Sequence, residues 1–391
     1  MASLPPLVEP AAELSADEVA RYSRHLILPD VGMVGQKRLK NAKVLVIGAG
    51  GLGSPTLLYL AAAGVGTLGI VDFDVVDTSN LQRQVIHGVS DVDKAKAVSA
   101  QESIAEINPH VDVRLHQVRL EADNVLEIFA DYDLVVDGTD NFATRYLVND
   151  AAVLLGKPYV WGSIYRFEGQ ASVFWEAAPD GRGLNYRDLY PVAPPPGAVP
   201  SCAEGGVLGI LCASIGAIMG TEAIKLIMGI GEPLLGRLVV YDALDMTYRT
   251  VTLRKDPEAE RVTGLIDYEA FCGVVSDAAR SAVAGSTVTA PELKALMDAG
   301  SELFLVDVRE PVEWDIVRIP GATLIPKDRI LSGEALAELP HDRPIVLHCK
   351  SGTRSAEALA ALQEAGFTDA RHLQGGVLAW AAQVDPSLPT Y

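Results

Sequence analysis

The sequence predicts an α/β protein: a doubly wound domain with a mainly parallel sheet, followed by a smaller α/β domain. Short apolar runs that end in Gly or Asp recur over residues 43–140, with helical stretches between them. A second alternation of the same kind begins at Thr287, after a segment without periodicity. The length of 391 residues allows two or three domains, each large enough to bury a core.

Taken in order, residues 1–13 are Pro-rich and predict a flexible arm. Ser15 then stands three residues before Glu18, the spacing of a capping box at a helix start. The run Lys43–Ile47 predicts a strand that ends in glycines, and Pro55–Ala63 has helical character. Leu68–Val71 predicts a second strand ending at Asp72, and Leu134–Val136 a further one ending at Asp137-Gly138-Thr139-Asp140. Continuous apolar strands of this kind fit burial on both faces of a parallel sheet. Pro191–Pro200 is a Pro-rich loop leading to Ser201-Cys202, and the apolar stretch Val207–Gly220 reads as a buried helix too short to span a bilayer. After the strand Thr250–Leu253 the composition turns charged and Ala/Gly/Ser-rich, so residues 14–253 are read as one domain and 254–285 as a linker. Residues 286–391 form the second domain, with helix Pro291–Asp298, strands Leu303–Val308 and Ile345–His348, and helix Ser355–Ala365.

Composition excludes several classes. There are 32 Lys+Arg against 51 Asp+Glu, a net charge of -19, which argues against a nucleic-acid partner because phosphate binding needs clustered cations. With 49% hydrophobic and 21% charged residues the chain is globular rather than disordered. The first residues lack a basic start and a long apolar core, so neither a signal peptide nor a membrane partner is expected. Four cysteines (202, 212, 272 and 349) form no CxxC pair, which excludes a disulfide framework and fits a cytoplasmic location.

Gly48-Ala49-Gly50-Gly51-Leu52-Gly53 matches GxGxxG between a strand and a helix, where a Rossmann-like fold binds phosphate against the helix N-terminus. Asp72 stands at the end of the next strand, placed to accept hydrogen bonds from ribose hydroxyls. These features alone would also fit an NAD-dependent oxidoreductase. The polar run Ser79-Asn80-Leu81-Gln82-Arg83, with Lys96 and the upstream Arg24, shifts the balance: three cations suit a triphosphate better than a pyrophosphate. Asp140, beside Asn141, offers carboxylate oxygen to Mg²⁺.

GAGGLG, VDFD, SNLQRQ, GTDN (residues 138–141) and RFEGQ (Arg166–Gln170), in that order, resemble the MoeB/ThiF group of ubiquitin-activating-type enzymes. The resemblance runs from about Glu13 to Cys272. It implies adenylation, with ATP, of the C-terminal Gly-Gly of a ubiquitin-like sulfur-carrier protein. It implies further that Gly51, Asp72, Ser79, Asn80, Leu81, Gln82, Arg83, Lys96, Asp140 and Asn141 bind ATP, that Asp140 holds Mg²⁺, and that Arg24 reaches the nucleotide of the other subunit of a homodimer. Many relatives also hold zinc with two CxxC pairs. Here the first pair is replaced by Asn185 and Asp188, and the second region reads RKDPEAE, so zinc is expected to be absent.

Cys349 follows the strand PIVLH and precedes a helix, where backbone N–H groups and the helix dipole favour a thiolate. Phosphatases and sulfurtransferases share this design. Four residues, one fewer than in the phosphatase loop, separate Cys349 from Arg354, which gives a loop sized for a sulfur atom and adds a fixed positive charge. With VDVRE (Val306–Glu310), Glu313-Trp314, Ile319-Pro320-Gly321-Ala322 and Gly375-Gly376, the segment resembles a single rhodanese domain. That resemblance implies a persulfide on Cys349, charged by thiosulfate or a cysteine desulfurase. Cys202 matches a cysteine proposed in fused relatives to bond transiently with the activated carrier; Cys212 reads as a core residue and Cys272 has no assigned role. The expectation is therefore a bifunctional adenylyltransferase–sulfurtransferase that makes a carrier thiocarboxylate for molybdopterin, cysteine or thiamine biosynthesis or tRNA thiolation. The rival is an NAD-dependent oxidoreductase fused to a phosphatase-like domain.

Overall fold

The computed structural model describes residues 4–10, 13–194, 205–272 and 286–391. The chain divides into two compact units, Met1–Val274 and Val275–Tyr391.

The first unit is built on strands β1 (Lys43–Ile47), β2 (Thr67–Val71), β3 (Asp112–His116), β4 (Leu134–Asp137), β5 (Tyr159–Tyr165), β6 (Glu168–Phe174), β7 (Arg237–Asp242) and β8 (Thr247–Thr252). They form one sheet in the order β3-β2-β1-β4-β5-β6-β7-β8. β3 to β5 in this order are parallel, and β6, β7 and β8 extend the sheet antiparallel. The sheet is mainly parallel, as expected, and the antiparallel strands extend one edge of it. The RFEGQ segment is the reason: Arg166 adopts φ 52° and turns the chain directly from β5 into β6, leaving no room for a crossover helix. The chain leaves β1 toward β2 on one side, and β4 lies on the other side of β1, so the order reverses between β1 and β4. Open α/β sheets bind ligands at the carboxyl ends of strands at such a reversal.

Apolar runs in β1, β2 and β4 are buried on both faces, between two core clusters. One face is covered by the helices Gly53–Ala63 and Ile210–Met228. Among the described residues, the second of these is the one helix long and apolar enough to cross a membrane. It is longer than the Val207–Gly220 stretch because its polar residues are paired inside the fold: buried Glu222 accepts from Leu234 N at 2.7 Å and from Lys225 Nζ at 2.5 Å. Leu211, Ile215, Met219, Ala223 and Ile227 are core residues, so this helix packs on the sheet.

Two expected tethers are packed instead. Leu4 and Val8, in the presumed arm 1–13, are buried in the core, and Leu7 N donates to Leu226 O at 3.1 Å. The described part of the presumed 254–285 linker belongs to the first unit. Tyr268 Oη donates to Asp150 Oδ2 at 2.9 Å, Phe271 stacks edge-on to Tyr146, and Cys272 is buried beside them. Aromatic anchors hold this segment, which its charged composition concealed.

The second unit is a five-stranded parallel sheet, β11-β10-β12-β13-β9, from β9 (Thr287–Val288), β10 (Phe304–Asp307), β11 (Thr323–Leu324), β12 (Ile345–His348) and β13 (Ala370–Leu373). Helices cover both faces, over two core clusters.

Candidate functional site

The glycine loop leaves β1 and enters the helix Gly53–Ala63 at the β1/β4 reversal, and Gly138, after β4, donates its N–H to Ile47 O at 3.2 Å. A Cβ on Gly53 would lie 1.8 Å from Gly48 O, and one on Gly51 would lie 2.7 Å from Cys212 Sγ. The loop is thus packed from below by a buried thiol, and its N–H groups lie at the start of the helix. Asp72 braces it: Oδ2 accepts from Ala49 N at 2.8 Å, and Oδ1 from Asp74 N at 2.9 Å. Burial pushes the Asp72 carboxyl above the usual range, against these two hydrogen bonds.

Above the loop run Ser79, Asn80, Leu81, Gln82 and Arg83. Thr78–Asn80 is a 3₁₀ turn capped by Asp77, and Arg83 Nη1 donates to Ser79 O at 3.0 Å. Arg83 Cγ lies 3.8 Å from the Cβ position of Gly51, so its side chain runs alongside the loop. Lys96 is buried and pairs with Asp74 at 3.0 Å, whose own side chain is half exposed. A phosphate would replace that carboxylate at low cost. Asp140 is exposed at the end of the β4 loop. The Asn141 side chain caps the helix Phe142–Leu154, accepting from Thr144 N at 2.8 Å, so its oxygen is already engaged. The structure thus brings Gly51, Asp72, Arg83 and Lys96 around one loop and sets Asp140 at the adjoining strand end. Arg24 is exposed on the short helix Ser23–Leu26.

Sequence reasoning missed three residues that shape this site. His87 ties Ala49 O (3.0 Å) to Ser99 Oγ (2.8 Å), and burial lowers its pKa. Arg145 is buried, donates to Thr139 O at 3.0 Å and Ser163 Oγ at 3.1 Å, and lies over the rings of Phe142 and Trp161. Asp137 is fully buried; its Oδ1 accepts from Thr139 N and Oγ1, and burial raises its pKa. His87 and Arg145 reach partners 12 to 38 residues away, which no spacing announces, whereas Asp137 makes a local turn with Thr139.

At the positions where relatives hold zinc stands a polar clamp. Asn185 Nδ2 donates to Glu176 Oε2 at 2.8 Å, and Asp188 accepts from Asn185 N at 2.8 Å and Asp256 N at 3.3 Å. Lys255 Nζ bridges Glu176 and Asp188. The donors at these positions are amide and carboxylate groups already engaged with one another, a set that does not fit structural zinc.

In the second unit Cys349 directly follows β12 and is buried; Gly352 N donates to its Sγ at 3.1 Å. The next helix, Thr353–Glu364, starts in the loop, and the helix Gly376–Gln383 donates Val377 N to Cys349 O at 2.8 Å and Leu378 N to Lys350 O at 3.1 Å. Arg354 is paired rather than a free positive charge at the thiol. Its two terminal nitrogens grip Glu313 at 2.6 and 2.7 Å, because Glu313 is buried and needs a counter-charge. Burial works against the Glu313 carboxylate, but hydrogen bonds from Arg354, Tyr391 and Glu310 N outweigh it and hold the carboxyl below its usual range. Beneath lies a second buried pair, Asp307–Arg309, with contacts of 2.5 to 3.0 Å. Cys202, the other expected thiol, lies outside the described residues.

Residues 22–262 match the ThiF family model, and residues 289–383 match that of the rhodanese-like domain. The chain belongs to the ThiF family and carries a rhodanese-like domain after it. It is 72% identical, over all of its length and 99% of the relative's, to a probable adenylyltransferase/sulfurtransferase MoeZ of Mycobacterium tuberculosis. An adenylyltransferase and sulfurtransferase MOCS3 of Drosophila ananassae is 40% identical over 97% of this chain and 87% of that one. A sulfur carrier protein adenylyltransferase of Thermus thermophilus is 54% identical over 66% of this chain and 98% of its own. Among solved structures, Escherichia coli MccB with MccA-N7isoASN matches at TM-score 0.55 and 22% identity, over 63% of this chain and 75% of that one, a likeness of fold. The chain is thus an enzyme that joins an adenylyltransferase to a sulfurtransferase. The rival, an oxidoreductase fused to a phosphatase-like domain, finds no support in these relatives.

Proposed function

We propose that this enzyme activates the C-terminal glycine of a ubiquitin-like sulfur carrier with ATP and converts it to a thiocarboxylate with sulfur carried on Cys349. The reading is carried by the glycine loop at the β1/β4 reversal, with Arg83 and Lys96 beside it, in a chain whose second unit buries a thiol in a loop of N–H donors. The name of the Thermus thermophilus relative supports a sulfur carrier as substrate.

In the first half-reaction the carrier carboxylate attacks the α-phosphate of ATP, and pyrophosphate leaves with the bonding pair. No side chain has to act as nucleophile, so the protein's contribution is positioning and charge stabilisation. Loop N–H groups and Lys96 hold phosphate, Arg83 lies over the loop, Asp72 receives ribose hydroxyls, and the run 79–82 walls the site. The exposed Asp140 fits an ion that needs few protein ligands, and Mg²⁺ held there with phosphate oxygens would offset the pyrophosphate charge. Asn141 supports this loop by capping its helix. Exposure of Arg24 fits a homodimer in which it reaches the neighbouring nucleotide.

In the second half-reaction the Cys349 thiolate attacks the sulfane sulfur of a donor. With thiosulfate the S–S bond breaks and sulfite leaves, giving the persulfide. The terminal sulfur then attacks the acyl-adenylate carbon and AMP leaves. A second thiol, assigned to Cys202, attacks Cys349 Sγ, so the carrier thiocarboxylate departs and a disulfide remains for a cellular thiol to reduce. This chemistry suits a reducing cytoplasm, and the polar clamp takes the structural place of zinc.

Two variants test the division of labour. Cys349→Ala should abolish thiocarboxylate formation and leave carrier-dependent ATP–pyrophosphate exchange within twofold of the parent. Asp140→Ala should remove exchange and spare thiosulfate sulfurtransfer. Loss of both activities in either variant refutes the division.

A further inference from the structure

The N–H that meets the Cys349 sulfur belongs to Gly352, at 3.1 Å from Sγ, and the carbonyl of the same glycine is held by a chain of buried side chains. Gly352 sits at φ 103°, in the left-handed region, and a Cβ there would lie 3.2 Å from Gly375 N, so the loop turns on a conformation that favours glycine. The two soft angles of this one residue set how its N–H stands to its carbonyl, and whatever fixes the carbonyl limits where the N–H points. Gly352 O accepts from Ala356 N at 3.0 Å, in the first turn of the helix Thr353–Glu364, and from Ser355 Oγ at 3.0 Å. The Ser355 hydroxyl has a single proton. Given to Gly352 O, it leaves Oγ only lone pairs for its other neighbour, His372 Nδ1 at 3.3 Å, so the imidazole donates there. Ser355 and His372 are both buried. His372 lies in β13, in register with Leu347 of β12 on one side and Thr287 of β9 on the other, so its backbone is fixed inside the sheet. Burial lowers its pKa, against the backbone of Gly352, so the ring is neutral near pH 7 with its one proton on Nδ1.

We propose that His372 is a positioning residue of the sulfur loop: through Ser355 it fixes the carbonyl of Gly352 and so keeps the Gly352 N–H aimed at the Cys349 sulfur. The proposal rests on the reading of Cys349 as the sulfur acceptor. In that step the Cys349 thiolate attacks the sulfane sulfur of thiosulfate: a bond from Sγ to that sulfur forms, the S–S bond of the donor breaks, and sulfite leaves with the electron pair. An N–H held on Sγ steadies the charge there and fixes the direction from which the sulfur attacks, so its loss slows the step rather than weakening donor binding.

The test is a single turnover of the full chain with saturating thiosulfate, following persulfide by cyanide quench and thiocyanate release, which gives a rate constant and a plateau. His372→Leu should lower the rate constant about three- to tenfold, the scale of one hydrogen bond, and leave the plateau unchanged. His372→Asn carries an amide N–H where Nδ1 stood and should stay within twofold of the parent. Ser355→Ala cuts the same link from its other end; it should match His372→Leu, and joining the two changes should add little. A merely structural role would lower the plateau, through loss of active enzyme, and leave the rate constant alone. A rate constant unchanged in His372→Leu, or no recovery in His372→Asn, overturns the proposal. Should His372→Leu not fold, an unchanged rate constant in Ser355→Ala overturns it alone. Persulfide that still forms in Cys349→Ala would instead refute the reading beneath it.

Discussion

The nucleotide loop of the first unit and the sulfur loop of the second are both strand–loop–helix turns, yet they are completed by opposite means. Around the glycine loop much of the binding chemistry is backbone or solvent-facing: Ser79, Gln82 and Asp140 are exposed, and Lys96 is paired with a half-exposed Asp74. Around Cys349 the charged groups are buried and matched, Asp307 to Arg309 and Glu313 to Arg354. The difference follows from the ligand. A nucleotide triphosphate brings its own charge and acceptors, so its site can keep donors solvated until it arrives. A single sulfur atom brings little, so the protein has to match its own buried charges around the thiol.

This contrast is open to direct attack. Glu313→Gln should have the largest effect, because it leaves Arg354 buried against a neutral amide. A loss of about 3 kcal/mol is expected in the second unit, read as a lower unfolding midpoint by circular dichroism, with ATP–pyrophosphate exchange unchanged. A midpoint within one degree of the parent would mean that the network is not what holds the loop.

The pH dependence is next in size. Burial holds the His348 imidazole down to about 4 against the pull of Asp307, whereas in the unfolded chain it titrates near its ordinary value. Between those two values the unfolded state binds the extra proton. The stability of the second unit should therefore fall as pH drops from about 6.5 to 4, by roughly 3 kcal/mol, and level below. Glu313 adds a further loss below its ordinary carboxylate value, as pH falls toward and through its depressed pKa. Denaturant unfolding across this range should show the slope, and His348→Gln should flatten it; an equal slope in the variant removes His348 as the cause.

A smaller effect probes the nucleotide loop. Gly51→Ala places a methyl 2.7 Å from Cys212 Sγ and should raise KM for ATP about tenfold. Cys212→Ala in the same chain should restore most of it, because only the sulfur is in the way. Failure of that rescue would show that the loop needs backbone freedom at Gly51 rather than space. The smallest effect concerns the clamp: Lys255→Met should cost about 1 kcal/mol in the first unit, with no recovery on adding zinc. Zinc-dependent recovery would show that a metal belongs there.

Local rules were legible from residues alone. Glycine spacing announced the nucleotide loop, apolar runs announced β1, β2, β4 and β12, and Ser15 with Glu18 announced a capping box that the structure contains. The strand before Cys349 and the helix after it were likewise legible, as β12 and Thr353–Glu364. Packing of residues 4–10 and of Tyr268–Cys272 was not legible, because a few apolar anchors in a polar or Pro-rich context have no period. Nor was the pairing of Arg354 with Glu313, which lies 41 residues away.

The sequence by itself determined the class of the chain and its two chemistries, because these depend on residue type and short spacing along one strand–loop–helix turn. The tertiary structure alone decided which charges are free and which are matched. His87, Arg145 and Glu313 acquire their contacts only when separate segments meet, since hydrogen bonds and ion pairs act through space over a few ångströms and take no account of separation along the chain.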